Sequence, residues 1–394
     1  LSIRRQRQMC IRDRILDVLP VLRTKGTREL LEEENSRYYL FQIVEISGII
    51  LLHSSFCTDE NLMNPNNPEI SRRDLLKSAM LTTALIAPAE AAQAAEKKEP
   101  PALIARQIAP DNLEFPYSTL DSFLTPNEQF YVRSHFVTPK LTEAEYRLSV
   151  VGKVDKELGV TLDALKSLPS VTLPVTLECA GNGRVFLTPA TAGVQWETGA
   201  ISTAEWTGAR LSDVLAMAGI QNTALEIVLE GADKGEVRLP PKPGIAINYA
   251  RSLPIHKDFL KNVILAYKMN GEELAPSHGY PIRAVVPGHY GMASIKWLTR
   301  LLILDRPFMG YYQTVDYAYW ETTSGIPERK PISLMQPKAI IARPLNRAKV
   351  KAGSTVKIFG AAWTGGSAEI ALSLIHISEP TRLRRISYAV FCLK

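Results

Sequence analysis

The 394-residue sequence predicts an α+β protein with a strand-rich, mixed domain followed by the opening part of a second, β-sandwich domain. Most of the apolar patterns are short and strand-like, and there are no internal repeats. Strands and helices do not alternate strictly, as a doubly wound parallel sheet would require. After Met335, the stretch QPKAIIARPLNRAKVKAGSTVKIFGAAWTGG has the pattern of the first strands of an immunoglobulin-like sandwich. It breaks off at about Ala371, after too few strands to close one, which indicates a truncated second domain.

The individual elements can be assigned in order along the chain. Two segments have helical spacing: VTLDALKSLP, with Thr161 as its N-cap and Pro169 at its end, and TGARLSDVLAMAGI, which ends at Gly219. NVILAYKMNGEEL is a strand that is expected to turn at Asn270-Gly271. The other predicted strands are YRLSVVGKV, VTLPVTLECAGNGR, ALEIVLEGAD, YPIRAVVPG and IKWLTRLLIL.

The formal net charge of +6 would ordinarily suggest anionic partners such as nucleic acid or a membrane surface. However, residues 1–14 (LSIRRQRQMCIRDR) and 372–394 (LSLIHISEPTRLRRISYAVFCLK) resemble sequencing-adapter read-through. These two ends carry +4 and +3, so that residues 15–371 are left with −1. We therefore expect no nucleic-acid partner and treat 1–62 as a non-native or upstream segment and 372–394 as an adapter-derived tail.

The four cysteines are Cys10, Cys57, Cys179 and Cys392. Cys10 and Cys392 lie in the adapter-like ends, and Cys57 precedes the expected start at Met63, so that Cys179 alone remains in the expected mature protein. A disulfide framework is thereby excluded, and a single cysteine in an exported protein is either inert in the core or has a chemical task. No CxxCH motif for covalent haem attachment occurs in the sequence.

Residues 63–95 are typical of a cleavable export signal. Arg72-Arg73 in SRRDLLK resembles the twin-arginine motif, the apolar run from Ala79 to Ala87 is too short to cross a bilayer, and small residues of A-x-A type follow. The alternative is an amphipathic helix that contains two arginines. The pattern favours a periplasmic location without stable membrane insertion, with a catalytic domain at 96–331 and a truncated dimerisation domain at 332–371.

The most informative stretch is VTLECAGNGR, in which Cys179 ends a buried strand and is followed by a Gly-Asn-Gly loop. Glycines allow close backbone approach, and a thiolate is a ligand for soft or redox-active metals. Taken alone, an isolated buried cysteine is more often a small core residue.

The segments CAGN, WETGAISTAEWTGARLSDVL, HGYPIRAVVPG and SIKWL occur in this order and resemble the sulfite oxidase family of molybdopterin oxidoreductases. The resemblance extends from about Asp111 to about Trp363. It implies that Cys179 is the thiolate ligand to molybdenum. It also implies that the pterin is held by a set of backbone and side-chain groups: Tyr131, Val132, Arg133, Ser134, His135, Asp233, His278, Arg283, Ser294, Ile295 and Lys296.

The same resemblance implies an anion pocket beside the metal, formed by Arg133, Arg184, Trp196 and Tyr317. Fixed guanidinium groups can replace the water around a compact oxyanion such as sulfite. The chain departs from the animal pattern at Gly183, where another arginine is common, and the loop from Arg184 to Trp196 is two residues shorter. These departures leave the cofactor chemistry in place and weaken the assignment of sulfite. Trp206 and Trp297 are interpreted as core aromatics.

The family implies oxidation of sulfite to sulfate, with electrons passed to an external acceptor such as a c-type cytochrome. Three alternatives remain open: a sulfane dehydrogenase subunit that acts on protein-bound sulfur, a reductase of small oxidised substrates, and a binding subunit without metal. Activity with free sulfite distinguishes a sulfite-oxidising enzyme from the sulfane dehydrogenase subunit. Metal analysis distinguishes it from the binding subunit without metal. A homodimer through the second domain is expected from the family for the full-length protein.

Overall fold

The computed structural model describes residues 42–49, 101–237, 240–323, 325–351 and 354–365, all within the unit Tyr39–Lys394. The strands of these residues are β1 (Gln42–Ile49), β2 (Ile104–Gln107), β3 (Asn112–Glu114), β4 (Val132–Arg133), β5 (Arg147–Gly152), β6 (Leu158–Thr161), β7 (Ser170–Glu178), β8 (Ile201–Arg210), β9 (Glu226–Gly235), β10 (Ile247–Pro254), β11 (Ile264–Met269), β12 (Glu272–Glu273), β13 (Arg283–Val285), β14 (Leu298–Leu304), β15 (Ala318–Thr323), β16 (Ile326–Pro331), β17 (Lys338–Arg343) and β18 (Thr355–Trp363).

Helical structure is short. The α-helices are α1 (Leu162–Lys166), α2 (Leu211–Ala218) and α3 (Lys257–Leu260). Single turns of 3-10 helix occur at Tyr117–Thr119, Asn127–Gln129, Arg184–Phe186, Pro276–His278 and Gly291–Ala293, and a π-helical turn occurs at Tyr312–Asp316.

Two five-stranded sheets form the centre of the described structure. One has the strand order β10-β9-β14-β5-β6, and within it only the β14–β5 pair is parallel. The other has the order β12-β11-β8-β7, with β13 also paired to β11. Smaller sheets contain β2-β3-β4, β15-β16 and β1-β18-β17. This mainly antiparallel arrangement with few helices agrees with the predicted strand-rich α+β class.

The edge strand β7 carries the predicted metal ligand to the end of its sheet. Its side chains become uniformly buried toward the carboxyl end, so that Leu177, Glu178 and the following Cys179 lie in the interior. Pro174 is tolerated within β7 because, among the described residues, no strand pairs with one side of β7, so that no amide hydrogen must be donated there.

The helix predictions were right about the caps and less accurate about the boundaries. The Thr161 side chain accepts a hydrogen bond from the Ala164 amide, as an N-cap does, and α1 ends at Lys166 rather than at Pro169. Gly219, with φ +68°, terminates α2. The first residues of TGARLSDVLAMAGI belong to β8 and not to the helix.

Strands β8 and β10 were not predicted from the sequence. In β8 the residues Ile201, Ser202, Thr203 and Ala204 are all buried, so that no polar alternation marks the strand. The reason is that both faces of the strand are covered, since Ile201 and Ala204, which point to opposite faces, belong to two different buried apolar clusters.

The buried apolar residues form three clusters. The first covers the β9-β14-β5 sheet with α1 and α2 and includes Leu148, Leu165 and Leu211. The second surrounds β7, β8 and β11 and includes Trp206 and Cys179. The third joins residues near the start of the described domain to β17 and β18, and contains Phe115, Tyr117, Ile201, Met335 and Trp363.

The segment predicted to open a truncated sandwich contains β17 and β18, which pair antiparallel, and β1 pairs with β18 on its other side. The immunoglobulin-like sandwich itself stays a prediction. The third cluster shows that these last strands pack against the strand-rich domain. The predicted export signal at 63–95 and the adapter-like ends lie outside the described residues. Within the described residues, no helix has both the length and the apolar character needed to span a bilayer.

A glycine at the junction of β3 and β8 provides a test of this packing. The Gly199 carbonyl accepts a hydrogen bond from the Phe115 amide at 3.1 Å, and a Cβ on Gly199 would lie 1.8 Å from the Phe115 carbonyl oxygen. We expect Gly199→Ala to lower the free energy of unfolding by about 1–3 kcal/mol, because backbone must move. Gly159→Ala in β6 is the control, since a Cβ there meets nothing within 4 Å. Urea titrations that give equal stabilities for the two variants would contradict this account of the junction.

Candidate active site

Two adjoining cavities lie at the end of β7. The first is named the inner cavity. The residues that line it are Phe130, Tyr131, Val132, Arg133, Ser134, His135, Leu177, Cys179, Ala180, Asp233, Tyr249, Ser277, His278, Arg283, Gly291, Met292, Ser294, Lys296, Trp297 and Tyr317. The outer cavity is lined in part by Arg106, Arg184, Gln195, Trp196, Tyr311 and Asp316. Six residues line both cavities and form a shared wall: Arg133, Ser134, His135, Cys179, Ala180 and Tyr317.

Cys179 is positioned by a tight turn that follows β7. The Asn182 amide donates to the Cys179 carbonyl at 2.9 Å, and the Gly181 amide donates to Sγ at 3.5 Å. Burial raises the pKa of the Cys179 thiol, while Arg133, the Gly181 amide and Arg184 act in the opposite direction. The thiol is 7% exposed and faces both cavities. A metal bound to this sulfur would therefore be in contact with the contents of either one.

The segment Tyr131–His135 is held in place by a buried asparagine. Asn112 is fully buried, and its Oδ1 accepts hydrogen bonds from Arg133 Nη1 at 3.2 Å and from the Ser134 amide at 3.1 Å. Lys296 Nζ donates to Ser134 Oγ at 2.8 Å. These contacts fix the Arg133 guanidinium in the shared wall with little freedom to rotate.

His135 and Tyr317 form a hydrogen-bonded pair across the shared wall. His135 Nε2 lies 2.7 Å from Tyr317 Oη, and the His135 ring stacks on Tyr249 at a centroid distance of 4.2 Å. Burial and then the charges of Arg133 and Lys296 hold the pKa of His135 well below its usual value, so that the imidazole is neutral. Burial raises the pKa of Tyr317 to about 12, which keeps this phenol protonated.

The far side of the inner cavity carries buried charge. Arg283 donates from Nη1 to the His278 carbonyl at 3.0 Å and from Nη2 to the Ser294 carbonyl at 3.1 Å, while its buried Nε has no hydrogen-bond partner among the described residues. Lys296 Nζ also donates to the Ser277 carbonyl at 2.9 Å. Burial lowers the pKa of Lys296 well below its usual value and raises the pKa of Asp233 to about 7.

The outer cavity contains the second arginine of the predicted anion pocket. Arg184 follows Gly183, whose φ of +87° is a left-handed conformation that favours glycine over the arginine common in animal sequences. Its Nη1 donates to the Ala192 carbonyl at 2.5 Å, and its Nε is buried without a partner among the described residues. The Arg184 guanidinium lies against Gly193, and a Cβ on Gly193 would be 2.9 Å from Arg184 Cζ.

The structure brings together most of the residues that the sequence singled out. Ile295 is the exception among them, because it lines neither cavity, its side chain is in the first core cluster and its carbonyl accepts from the Ala284 amide at 2.8 Å. Trp196 lines the outer cavity although it is only 1% exposed.

Three further residues of the site were missed. Asn112 and Tyr249 cannot be identified as site residues from the sequence, since their roles come from contacts across the fold rather than from a local motif. Trp297 was interpreted as a core aromatic, and this was wrong in part. It is buried, but it lines the inner cavity, and Lys296 Nζ lies 4.2 Å from its ring centroid.

The inner cavity fits an anionic cofactor with a soft metal. It is lined by Arg133, Arg283 and Lys296 against one carboxylate, Asp233, and charges removed from water need a partner of opposite sign. The unpartnered Arg283 Nε offers one further donor to a bound anion. With the Cys179 sulfur in the wall, this donor set fits the molybdenum–pterin group.

Comparisons with known proteins point to the same chemistry. Residues 135–312 match the family described as oxidoreductase molybdopterin binding domain. The chain is 32% identical to mitochondrial sulfite oxidase of Drosophila melanogaster over 345 residues, covering 84% of this chain and 53% of the relative. It is 37% identical to mitochondrial sulfite oxidase of Homo sapiens over 284 residues, covering 68% and 50%. The chain thus spans about half the length of these curated relatives.

Among solved structures, the crystal structure of the sulfane dehydrogenase SoxCD from Paracoccus pantotrophus is similar to this one. The TM-score is 0.55 at 26% sequence identity, with 79% of this chain and 72% of the other covered.

The buried histidines make the stability of the cofactor-free protein dependent on pH. Burial lowers the pKa of His278 to about 3, whereas an unfolded chain protonates histidine near about 6.5. The unfolded state therefore binds more protons as the pH falls below about 6.5, and we expect the free energy of unfolding to decrease by up to about 1.4 kcal/mol per pH unit from this residue. His278→Asn should reduce that slope in urea titrations between pH 7.5 and 5. The exposed His256→Asn is the control, and equal slopes for both variants would argue against a neutral, buried His278.

Proposed function

Since this chain belongs to the sulfite oxidase family of molybdopterin oxidoreductases, we propose that it oxidises sulfite to sulfate at a molybdenum centre bound through Cys179. The observation that carries this proposal is the shared wall, in which Cys179, Arg133 and Tyr317 face both the inner and the outer cavity. A cofactor in the inner cavity and an anion in the outer cavity would meet at the cysteine sulfur.

In this proposal the inner cavity holds the pterin. Arg133, Arg283 and Lys296 supply positive charge to its anionic groups, and Asp233 and Ser294 supply polar contacts. Cys179 supplies the soft thiolate for the metal. When bound, the molybdenum centre supplies two-electron oxidation of the sulfur substrate.

The chain's own groups bind and orient the substrate. Arg133 and Arg184 both line the outer cavity, where fixed guanidinium donors can replace the hydration of an oxyanion. Tyr317 is a protonated hydroxyl at the shared wall, directed by its hydrogen bond to the neutral His135. Trp196 contributes an apolar wall that excludes water.

A sulfane dehydrogenase subunit that acts on protein-bound sulfur is the second candidate, because the solved structure reported above has that activity in its name. The wide outer cavity, with Arg106 and Tyr311 at its sides, is compatible with either substrate. Turnover of free sulfite by the purified protein favours the first candidate, and turnover only with a persulfidated carrier protein favours the second. A binding subunit without metal is the third candidate, which elemental analysis for molybdenum tests directly.

We also propose an external one-electron acceptor, a c-type cytochrome, and export to the periplasm by the twin-arginine route through residues 63–95.

The proposed organisation is an upstream segment at 1–62, a catalytic domain at 96–331, a truncated immunoglobulin-like dimerisation domain at 332–371 and an adapter-derived tail at 372–394. These proposals rest on the sequence patterns described above. Fractionation of cells that express the intact gene tests the location, and sizing of the full-length protein tests the homodimer.

Replacement of Cys179 tests the metal site. Cys179→Ser places a hard, mostly protonated hydroxyl where a soft thiolate would bind molybdenum. We expect turnover to fall by at least about two orders of magnitude, a loss of stabilisation of about 3 kcal/mol, while thermal unfolding changes little. Elemental analysis and steady-state kinetics provide the measurement, and wild-type turnover in this variant would rule out Cys179 as the ligand.

Replacement of Arg184 tests the anion pocket. We expect Arg184→Met to reduce kcat/KM for sulfite about 30- to 1000-fold, since one charge-assisted contact in a water-poor site contributes about 2–4 kcal/mol. Molybdenum content should stay at the wild-type level. Arg184→Lys retains the charge without the bidentate geometry, and its kcat/KM for sulfite should lie between the values of the wild type and of Arg184→Met. The surface variant Arg300→Met, which removes the 2.6 Å ion pair with Glu230, is the control. Unchanged sulfite kinetics in Arg184→Met would exclude this residue from the pocket and favour the sulfane candidate.

A further inference from the structure

The residue before Cys179 is a fully buried carboxylate that the proposed function does not use. Glu178 is the last residue of β7 and is 0% exposed. A carboxylate removed from water in this way is costly unless it is paired and hydrogen-bonded. Its partners therefore show what this position does in the fold.

Two of the three side chains that hydrogen-bond the Glu178 carboxylate come from the last two strands. Lys338 Nζ, at the start of β17, lies 2.5 Å from Oε1, and Trp363 Nε1, at the end of β18, donates to Oε2 at 2.8 Å. Both strands belong to the segment after residue 331. The carboxylate thus joins the strand that carries the metal ligand to a part of the chain 160 and 185 residues later in sequence.

The third donor connects this carboxylate to the Cys179 turn. Asn182 Nδ2 donates to Glu178 Oε1 at 3.1 Å, and Asn182 Oδ1 accepts from the Ala200 amide at 3.1 Å. The Asn182 amide closes the turn on the Cys179 carbonyl at 2.9 Å, and the Asn182 carbonyl lies 3.5 Å from Lys338 Nζ. Lys338 and Trp363 therefore contact both ends of the turn, directly or through one side chain.

We propose that Glu178 is a positioning residue for the metal ligand, and that Lys338 and Trp363 complete the metal site by locking the Cys179 turn against β7. Lys338 and Trp363 then contribute to the catalytic centre although neither side chain lines the inner or the outer cavity. This inference rests on the proposed function in taking Cys179 as the ligand to molybdenum. The geometry of the turn itself does not depend on that assignment.

The test compares the reactivity of Cys179 in full-length protein with the cofactor removed. The variants are Lys338→Met, which leaves the buried carboxylate without its charge partner, Lys338→Arg, which keeps the charge, and the double variant Glu178→Gln/Lys338→Met, which removes both charges. Lys153→Met is the matched control, because it breaks a 2.8 Å ion pair with Asp305 on the surface. Each protein is treated with a thiol reagent, and labelling of Cys179 is separated from that of the other cysteines by peptide mapping.

We expect Lys338→Met to increase the labelling rate of Cys179 at least about tenfold, because labelling of a buried thiol follows local opening of the turn. Lys338→Arg and the double variant should return toward the wild-type rate, and Lys153→Met should not differ from it. If Lys338→Met does not fold, Trp363→Phe, which keeps the ring and removes the donor, is used in the same assay. Wild-type labelling in Lys338→Met or Trp363→Phe, or equal acceleration in Lys153→Met, would overturn the proposal.

A second measurement separates this proposal from the proposed function. Molybdenum-loaded protein is passed through gel filtration, and the retained metal is determined for the same variants. Faster loss of metal from Lys338→Met, together with faster labelling, supports the proposal in full. Faster labelling with unchanged retention of metal would support the positioning of the turn and overturn Cys179 as the metal ligand.

Discussion

The positive charge inside the inner cavity is the constraint on which the site depends. Arg133, Arg283 and Lys296 line a cavity to which Asp233 contributes the only carboxylate among the described residues. The fold accepts this imbalance because backbone carbonyls and hydroxyls hold the cations in fixed positions, as the contacts of Arg283 and Lys296 with the loops at 276–278 and 291–294 show. An anionic cofactor bound in this cavity would stabilise the folded protein, since its charge would compensate groups that the protein has already removed from water.

Much of the site could be predicted from the sequence because its residues occur in short motifs at the ends of strands. Cys179 follows β7, Asp233 lies in β9, and Arg283 opens β13, so that local patterns place each of them at or next to a sheet. The strand-rich α+β class followed from the same patterns. Helix ends at Thr161 and Gly219 could be located because a capping hydroxyl and a left-handed glycine are chemical requirements of single positions.

The residues that could not be predicted act through contacts between distant parts of the chain. Asn112 holds Arg133 and Ser134 from more than twenty positions away, and the indole Nε1 of Trp297 donates to the carbonyl of Pro276, 21 positions earlier, at 2.8 Å. Glu178 is the residue whose role is hardest to predict from the sequence. Nothing in the sequence around a carboxylate at the end of a strand indicates whether it is buried or exposed. Its carboxylate is hydrogen-bonded by two donors that lie 160 and 185 residues later in the chain.

The shared wall has a consequence for how such enzymes can diverge. Arg133, Cys179 and Tyr317 contact both cavities, so that a substitution at any of them alters the lining of the inner and the outer cavity together. Arg184, Trp196 and Asp316 line the outer cavity alone and can change while the inner cavity stays intact. If the two cavities hold cofactor and substrate as proposed, substitutions on the outer side alone can change the substrate that is bound. The loop between Arg184 and Trp196 contributes residues to the outer cavity and none to the inner one, so that a change of substrate under the proposed function would be expected there.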